Sequence, residues 1–432
     1  MKREIGSAAL LEGWVPDAAD IRICGIRSDA GRIEAGEAWV DLDGGRDVLL
    51  AAARGAALVL TPKNARTPGR DMPAIAVPGL EDRLPELAAR FWRHPAEQIA
   101  IAAVAGNGSS CAVGHYLAQS WRRSADDVRR TVRERAGGVT HYLPTAAIGE
   151  PFTLQEQLNG CLENGAQQLA LDVAPHALER GWLDDLALEV AVYCGDGKDN
   201  DKPLRPLFTR CRPRFAVVDH DTAEGKALTR LVDADVEVLT FGTNGSTELQ
   251  GSFLGMDAGG MTIRIASPWG GGQVHTGLLG RRSLSALLAA AGTLALMGMP
   301  WDRVMHQVEI MGAVPGRLHR IDGEPGQPTA VIDHAHTADE LEEALRALRS
   351  HLHGRLSCVL SRRAARDART LRVARLLSDR VFETGAMNRA QVIRDAFRSS
   401  GSNDIVLIAG SVDEIAGGDE ERSLRRIMEA AA

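Results

Sequence analysis

The chain has 432 residues, which is too long for one hydrophobic core and predicts about three domains at roughly 150 residues each. Its composition, 44% hydrophobic and 25% charged, is that of a globular protein with a packed interior. The net charge of −7 argues against a nucleic-acid-binding protein, which would carry an excess of positive charge.

The N-terminal residues contain no apolar run long enough for a secretion signal, and no later stretch is long enough to span a membrane. The six cysteines are scattered and form no Cys-x-x-Cys pair. We therefore expect a cytoplasmic protein with reduced thiols and no membrane partner.

Residues 1–97 alternate short apolar runs with stretches of helical periodicity, notably residues 48–54 and 84–92. This alternation predicts a small N-terminal α/β domain. The proline of His94-Pro95 closes the segment immediately before a strongly apolar strand at residues 99–104.

That strand leads into a turn rich in glycine, asparagine and serine, and then into a helix with Val113, Leu117 and Trp121 at helical spacing. Strand, glycine-rich turn and helix in this order cradle a phosphate, because free N–H groups and the positive end of the helix dipole converge there. A complete loop of this kind reads G-x-x-x-x-G-K-[ST]. Here Ser109 stands where the lysine belongs. The candidate nucleotide-binding residues are Gly106, Asn107, Gly108, Ser109 and Ser110.

From residue 98 to 313 the strand, turn and helix pattern repeats, with further buried strands at residues 169–173 and 215–218. Such repetition predicts a central domain with a parallel sheet covered on both faces. Because ligands bind at the carboxyl ends of parallel strands, we expect the turns at residues 106–110 and 172–176 to line one crevice.

Residues 314–432 begin a second, smaller α/β pattern with a strand at residues 330–333. Thr337 and Glu340 have the spacing of a capping box that starts a helix, and more strands follow at residues 356–360 and 404–409. This segment is predicted to be a C-terminal Rossmann-like domain.

Several motifs in a fixed order give the sequence a family resemblance. They are WVPD and IRSD at residues 14–17 and 26–29, LAARFW at 87–92, LNGCL and LDVAPH at 158–162 and 171–176, SPWG at 267–270, and PGRL and DHAHT at 315–318 and 333–337. With them the chain resembles the Mur ligase family, most closely its MurE type. The resemblance implies a three-domain α/β architecture: a UDP-sugar-binding-like N-terminal domain, a central P-loop-like ATPase domain and a Rossmann-like C-terminal domain.

The resemblance also implies an activity. MurE-type ligases use ATP to add the third amino acid to UDP-N-acetylmuramoyl-dipeptide, through an acyl phosphate that the incoming amine attacks. This chemistry needs a cation on the phosphates and Mg²⁺ held by carboxylates.

The residues that would supply this chemistry depart from the family pattern. The T-G-T-N-G-K-T-T motif appears as AGNGSSC at residues 105–111, and the shorter Asp172 replaces a Mg²⁺-binding Glu, although His176 is retained. Lys198 or Lys202 would have to stand in for the carbamylated lysine of the family. The adenine-side F-N-V-x-N reads RSLSA at residues 282–286. We therefore class the phosphate turn and the Asp172–His176 pair as vestigial nucleotide and metal sites.

The third domain departs in the same way, because G-G-D-R-D reads RAARD at residues 363–367 and D-N-P-R reads AMNR at residues 386–389. Arg317, Asp333 and His336 are retained at the hinge and cleft. Arg362, Arg363 and Arg366 are candidates for binding an anion, since few acids balance the arginines of this stretch. The histidine pairs 334/336 and 351/353 have metal-like spacing, but we expect strand-edge or surface positions for them.

Two functional hypotheses follow. In the first, the chain is a catalytically degenerate MurE-like protein with no catalytic residue and no cofactor, which binds a protein partner such as an active Mur ligase or a ligand other than ATP. In the second, it is an active ATP-dependent ligase that joins an amino acid to a UDP-muramoyl-peptide or another carboxylate. ATP and Mg²⁺ are expected only under the second hypothesis.

Overall fold

The structure is a computed structural model. It describes residues 3–62, 72–106, 110–129, 141–144, 149–184, 186–195, 204–321, 323, 326–384, 388–410 and 420–430. For residues 110, 123–129 and 420 it describes the backbone alone. No helix among these residues is long and apolar enough to cross a membrane.

The N-terminal segment contains a four-stranded parallel sheet in the order β3-β4-β5-β6 and a small antiparallel pair, β1-β2. Its elements are β1 (Ile5–Gly6), α1 (Ser7–Leu10), β2 (Arg22–Ile23), β3 (Ile26–Arg27), β4 (Ala38–Val40), α2 (Val48–Ala53), β5 (Leu58–Pro62), β6 (Ala74–Val77) and α3 (Leu84–Trp92). The helices predicted at residues 48–54 and 84–92 are confirmed.

The central segment is built on a nine-stranded sheet in the order β15-β14-β13-β12-β11-β10-β7-β9-β8. Its elements are β7 (Ala100–Ala105), α4 (Ser110–Arg129), β8 (Tyr142–Leu143), α5 (Pro151–Glu163), β9 (Gln168–Asp172), α6 (Pro175–Glu179), β10 (Leu188–Tyr193), α7 (Pro206–Thr209), β11 (Phe215–Asp219), α8 (Ala223–Leu228), β12 (Glu237–Gly242), β13 (Leu249–Asp257), β14 (Gly260–Ser267), β15 (Gly270–Thr276), α9 (Arg281–Leu296) and α10 (Trp301–Glu309).

Helices cover both faces of this sheet, as the sequence pattern predicts. Successive side chains of a strand point to opposite faces, so Val104 of β7 packs with α4 and α9 while Ala103 packs with α5. The apolar stripe Val113, Leu117 and Trp121 of α4 is buried in the first of these two cores. A strand with two buried faces needs the uninterrupted apolar run found at residues 99–105.

At one edge the predicted parallel sheet continues into antiparallel strands, which the sequence analysis did not predict. Strands β13, β14 and β15 pair antiparallel with one another, and β13 joins the parallel part through β12. Exposed and buried residues alternate along β14, a period that indicates a half-buried strand, but the short turns of this meander were not recognised in the sequence.

The C-terminal segment has a five-stranded sheet in the order β16-β17-β20-β18-β19, parallel except for β16. Its elements are β16 (His319–Ile321), β17 (Thr329–Asp333), α11 (Ala338–Arg349), β18 (Leu356–Leu360), α12 (Arg362–Arg366), α13 (Ala368–Leu377), β19 (Arg380–Glu383), α14 (Arg389–Arg398), β20 (Ile405–Ala409) and α15 (Glu420–Glu429). The predicted capping box of Thr337 and Glu340 is confirmed. The exact domain boundaries remain predictions.

The N-terminal and central segments are joined by an ionic contact. The guanidinium group of Arg27 donates to Glu37 within its own segment and, with both Nη atoms, to the carboxylate of Glu156 on α5 at 3.2 and 3.3 Å. Next to it the Ser28 hydroxyl donates to Glu150. A bidentate guanidinium–carboxylate pair fixes orientation as well as distance, so this contact positions the first sheet against the second.

Candidate functional site

The turn between β7 and α4 keeps the backbone geometry of a phosphate cradle at its first glycine. Gly106 has φ 143°, and a Cβ atom there would collide with the carbonyl oxygen of Cys194. Only glycine fits such a close approach. Asn107, Gly108 and Ser109 lie outside the described residues, as does the side chain of Ser110.

The adjacent strand β9 ends at the same edge of the sheet. The Val173 N–H donates to the Val104 carbonyl at 2.8 Å, so the ends of β7 and β9 lie side by side. The crevice expected between the two turns stays a prediction, because residues 107–109 lie outside the described residues. Asp172 is 7% exposed at the end of β9. The Tyr142 hydroxyl of β8 donates to its Oδ2 atom at 3.4 Å.

The Tyr142 side chain of β8 lies over the first turns of α4, where it contacts His115. Neither residue was singled out in the sequence. The Tyr142 ring lies against Gly114 so closely that a Cβ atom there would collide with it, and it packs on the His115 ring with 4.7 Å between centroids. Burial, Asp172 and Cys111 raise the pKa of Tyr142, so the phenol is neutral. A glycine inside a helix signals a close approach, and this is the signal that points to the site.

His176 does not complete a metal site with Asp172 among the described residues. It lies on α6 with its ring edge-on to Trp182 at 5.7 Å, and within the described part of the chain no group of three histidine, cysteine or acidic side chains has the arrangement of a metal site. Mg²⁺ is usually bound through one or two carboxylates together with phosphate oxygens and waters, and Asp172 is one such carboxylate at this edge. Lys198 and Lys202 lie outside the described residues.

At the position of the family's adenine motif, α9 carries side chains that bind within the protein. Arg282 forms an ion pair with Glu343 of α11. The Ser283 hydroxyl donates to the Leu279 carbonyl at 2.6 Å, and the buried Tyr116 hydroxyl lies beside Ser283. Burial raises the pKa of Tyr116, which keeps it neutral.

The retained hinge residues hold the backbone of the linker. Asp333 ends β17, and its Oδ2 atom accepts the Leu318 N–H at 2.9 Å. Burial raises the pKa of Asp333, while the N–H groups of Leu318 and Ala335 oppose this shift. Arg317 is exposed, and the exposed His336 donates its backbone N–H to Glu340 at 2.7 Å. Thus Asp333 stabilises the backbone of the hinge by accepting a hydrogen bond from it.

His351 corrects the expectation of a surface histidine, because its side chain is fully buried. Its Nε2 atom accepts the Gly280 N–H at 2.9 Å, and its Nδ1 atom lies 2.9 and 3.0 Å from the carbonyl oxygens of Asp257 and Gly260. These contacts require a neutral ring with the proton on Nδ1. The C-terminal segment is therefore docked on the central one at the start of α9, where Gly280 is the N-cap.

The candidate anion-binding residues Arg362, Arg363 and Arg366 are exposed on α12. Other arginines of the same stretch pair with acids: Arg369 with Asp339 at 2.6 Å and Arg375 with Glu383 at 2.8 Å. Of the AMNR motif, residues 386 and 387 lie outside the described residues. Arg389 is buried, and its Nη2 atom donates to the Ala409 carbonyl at 2.9 Å.

Asp219, another residue not singled out in the sequence, ends β11 at the same edge of the central sheet as Asp172. It is 3% exposed, and burial raises the pKa of its carboxyl group to about 7. Its Oδ1 atom accepts the Asp221 N–H at 3.1 Å, which opposes the shift only in part.

Comparison with known proteins identifies the family of the chain. The family profile described as Mur ligase, glutamate ligase domain, matches residues 316–416. A UDP-N-acetylmuramoyl-L-alanyl-D-glutamate–2,6-diaminopimelate ligase of Xylella fastidiosa is 30% identical over 393 residues, which cover 85% of this chain and 78% of the relative. The chain belongs to the Mur ligase family. Another diaminopimelate ligase of this family, from Coxiella burnetii, is 28% identical over 92% of both chains.

Solved structures of Mur ligases share the fold. A UDP-N-acetylmuramoyl-L-alanyl-D-glutamate–2,6-diaminopimelate ligase superposes with a TM-score of 0.75 at 18% identity and covers 99% of both chains. MurF from Acinetobacter baumannii superposes with a TM-score of 0.63 at 15% identity, also over 99% of both chains. The predicted α/β three-domain Mur ligase architecture is thereby confirmed.

Proposed function

We propose that this member of the Mur ligase family does not carry out ATP-driven amide ligation and acts by binding a protein partner or a ligand other than ATP. The observation that carries the proposal is the phosphate turn, where Ser109 replaces the lysine of the motif. Phosphoryl transfer depends on neutralising developing negative charge. The missing ammonium group removes a charge-assisted contact worth roughly 1.5–3 kcal/mol.

The surroundings of the turn support the same conclusion. Tyr142, a neutral phenol, lies over the first turns of α4 and brings its hydroxyl to Asp172, so it adds no positive charge where a triphosphate needs it. A buried carboxylate such as Asp172 repels a phosphate unless a metal lies between them. The described residues provide no group of three metal ligands.

The residues at the position of the family's adenine motif also support the proposal that ATP is not bound. An adenine ring needs hydrogen-bonding groups in a largely apolar pocket. Arg282 is paired with Glu343 and the Ser283 hydroxyl is bonded to Leu279, so a nucleotide would have to compete with contacts inside the protein.

We propose that the partner binds a different surface, on the C-terminal domain. Arg362, Arg363 and Arg366 extend from the C-terminal domain into solvent, and exposed guanidinium groups suit an acidic protein surface or another anion. An active ligase of the same family is the partner we favour, because a related fold offers related surfaces to bind.

The alternative is an active ATP-dependent ligase with a rearranged site, acting on a UDP-muramoyl-peptide or another carboxylate. It is favoured by the names of the relatives, which are ligases similar to this chain over 92% of its length. Under this alternative, another cation would have to replace the lysine.

Calorimetry with Mg-ATP separates the two. We expect no binding at millimolar ATP, and no phosphate release with UDP-N-acetylmuramoyl-L-alanyl-D-glutamate and a panel of amino acids. The diaminopimelate ligase of Xylella fastidiosa, assayed in parallel, serves as the positive control. Nucleotide binding near micromolar strength, or phosphate release that depends on the amino acid, overturns the proposal.

A further inference from the structure

A cavity of about 210 Å³ lies at the amino edge of the central sheet. Gln168, which lines it, is the first residue of β9, whereas Asp172 ends that strand at the carboxyl edge. At about 3.3 Å per residue the two edges are roughly 13 Å apart along β9, so the cavity is separate from the phosphate turn. Its main lining residues are Trp121 of α4, Gln168, Leu294 of α9, Met297, Met299 and Arg303 of α10.

The inner wall of the cavity is apolar and well packed. The side chains of Trp121 and Leu294 are buried. The His141 ring lies behind the indole, with 6.3 Å between the ring centroids of His141 and Trp121. The Nδ1 atom of His141 is 3.1 Å from the Gln168 carbonyl oxygen. These contacts tie the Trp121 indole to the start of β9.

The outer wall is a hydrogen-bonded turn that ends α9. The Gly298 N–H donates to the Ala295 carbonyl at 3.0 Å, and the Met299 N–H donates to the Leu294 carbonyl at 2.9 Å. With Gly298 at φ 90°, these bonds form a Schellman motif. The turn places the half-buried Met297 and Met299 at the cavity. Thioether groups adapt to apolar ligands and make favourable contacts with aromatic rings.

A cation lies at the rim of this apolar cavity. Arg303 is exposed, and no acidic side chain in the part of the chain that the structure describes lies within ion-pair distance of it. A guanidinium group binds a carboxylate through two parallel hydrogen bonds. The cavity therefore combines apolar walls with a binding group for an anion.

We propose that the cavity binds a small aromatic carboxylate, with the ring against Trp121 and the two methionines and the carboxylate on Arg303. An apolar cavity of about 150 Å³ holds benzene, so about 210 Å³ accommodates one ring with a short acidic side chain. Indole and thioether groups both favour an aromatic ring over an aliphatic chain. The inference goes beyond the proposed function and does not rest on it, because the cavity lies at the opposite edge of the sheet.

The test is calorimetric titration of the full chain with phenylacetate, in parallel with acetate and phenylacetamide. We expect saturable binding of phenylacetate and no binding of acetate, which lacks the ring, at the same concentrations. Phenylacetamide keeps the shape of phenylacetate but has no charge. It should bind about tenfold more weakly, because the charge-assisted contact with Arg303 is lost.

Three variants locate the two parts of the ligand. Arg303→Gln should weaken the binding of phenylacetate about tenfold and leave that of phenylacetamide unchanged. Arg372→Gln, which removes an exposed arginine of α13, is the matched control and should change neither affinity. Met297→Trp should abolish the binding of both compounds, because the larger side chain fills the cavity.

Fluorescence gives a second readout of the position. Because Trp121 lines the cavity, phenylacetate should change the emission of the protein. Trp121→Phe should remove this change, while calorimetric binding remains measurable.

The inference is overturned if phenylacetate does not saturate, if acetate or phenylacetamide binds as tightly as phenylacetate, or if Arg372→Gln weakens binding as much as Arg303→Gln. Undiminished binding by a folded Met297→Trp protein, or a fluorescence change that persists in Trp121→Phe, places the ligand elsewhere and also overturns it. Titration with Mg-ATP decides the proposed function alone, since neither of its outcomes alters the binding of phenylacetate.

Discussion

The carboxyl edge of the central sheet and the junction between the central and C-terminal segments are both made of loops at the ends of strands, yet their polar groups are used differently. At the junction, His351 accepts the Gly280 N–H across the interface and Asp333 accepts the Leu318 N–H within the hinge, both at 2.9 Å. At the edge, the Tyr142 hydroxyl donates to Asp172 at 3.4 Å. Burial raises the pKa of Asp219 and so disfavours its ionised form.

The difference separates groups that stabilise the fold from groups that cost stability. Polar groups with good backbone partners stabilise a fold. Buried carboxylates cost stability unless a partner compensates their charge. We therefore expect substitutions at the junction to destabilise the protein and substitutions at the edge to be neutral or stabilising.

The largest effect is expected from His351→Ala at the junction. The substitution leaves the Gly280 N–H and two carbonyl groups buried without the imidazole and opens a cavity, which should lower the free energy of unfolding by about 4 kcal/mol. Urea denaturation at neutral pH measures it. His353→Ala, at an exposed position on the same loop, is the control and should change stability by less than about 0.5 kcal/mol. Equal effects of the two substitutions would contradict the docking role.

The same histidine predicts a pH dependence. Burial lowers the pKa of His351 below its usual 6.5, although the Asp257 and Gly260 carbonyls oppose the shift. The unfolded chain therefore takes up a proton first as the pH falls below about 6.5, so stability is lost in that direction and is fully present above it. The wild type should lose more stability than His351→Gln between neutral and mildly acidic pH. Parallel pH profiles of the two proteins would argue that the ring is not held neutral.

An intermediate effect of opposite sign is expected from Asp219→Asn at the edge. Because the pKa of Asp219 is raised to about 7, its folded form favours the protonated acid, and this contribution is lost as the pH rises through 7. Asparagine does not ionise and still offers an oxygen to the Asp221 N–H. The variant should be more stable than the wild type by about 3 kcal/mol above pH 8, and by little near pH 4. A variant that is destabilised at high pH would show that the carboxylate is used in the fold.

The smallest effect is expected from Tyr142→Phe. The hydroxyl makes a long hydrogen bond of 3.4 Å to Asp172, while the ring keeps its contacts with Gly114 and His115. The free energy of unfolding should change by less than about 1 kcal/mol. A loss as large as that of His351→Ala would remove the contrast between edge and junction. Gly114→Ala, which forces the ring off the helix, tests the packing separately.

Much of the fold followed from local patterns. The apolar run at residues 99–104 predicted a buried strand, the Thr337–Glu340 pair predicted the start of α11, and the glycine-rich turn located the edge of the sheet. The antiparallel meander of β13 to β15 was missed, because its pairing is set by contacts between strands. The family motifs predicted the Mur ligase architecture, which the solved structures share.

Less of the candidate site than of the fold could be predicted from the sequence. His351 has the spacing of a surface pair with His353, and only its docking on Gly280 and on the turn between β13 and β14 buries it. Tyr142 reaches Gly114 because β8 joins the edge of the sheet beside β9, a pairing between residues far apart in the chain.

The sequence by itself determined the buried strand β7, the capping box of α11 and the absence of a lysine from the phosphate turn, because each of these depends on neighbours within a few residues. The tertiary structure alone decided which polar groups meet between distant parts of the chain: the Tyr142 phenol over α4 and the His351 imidazole in the junction. These encounters depend on how sheets and helices pack, and burial then fixes the charge state of each group.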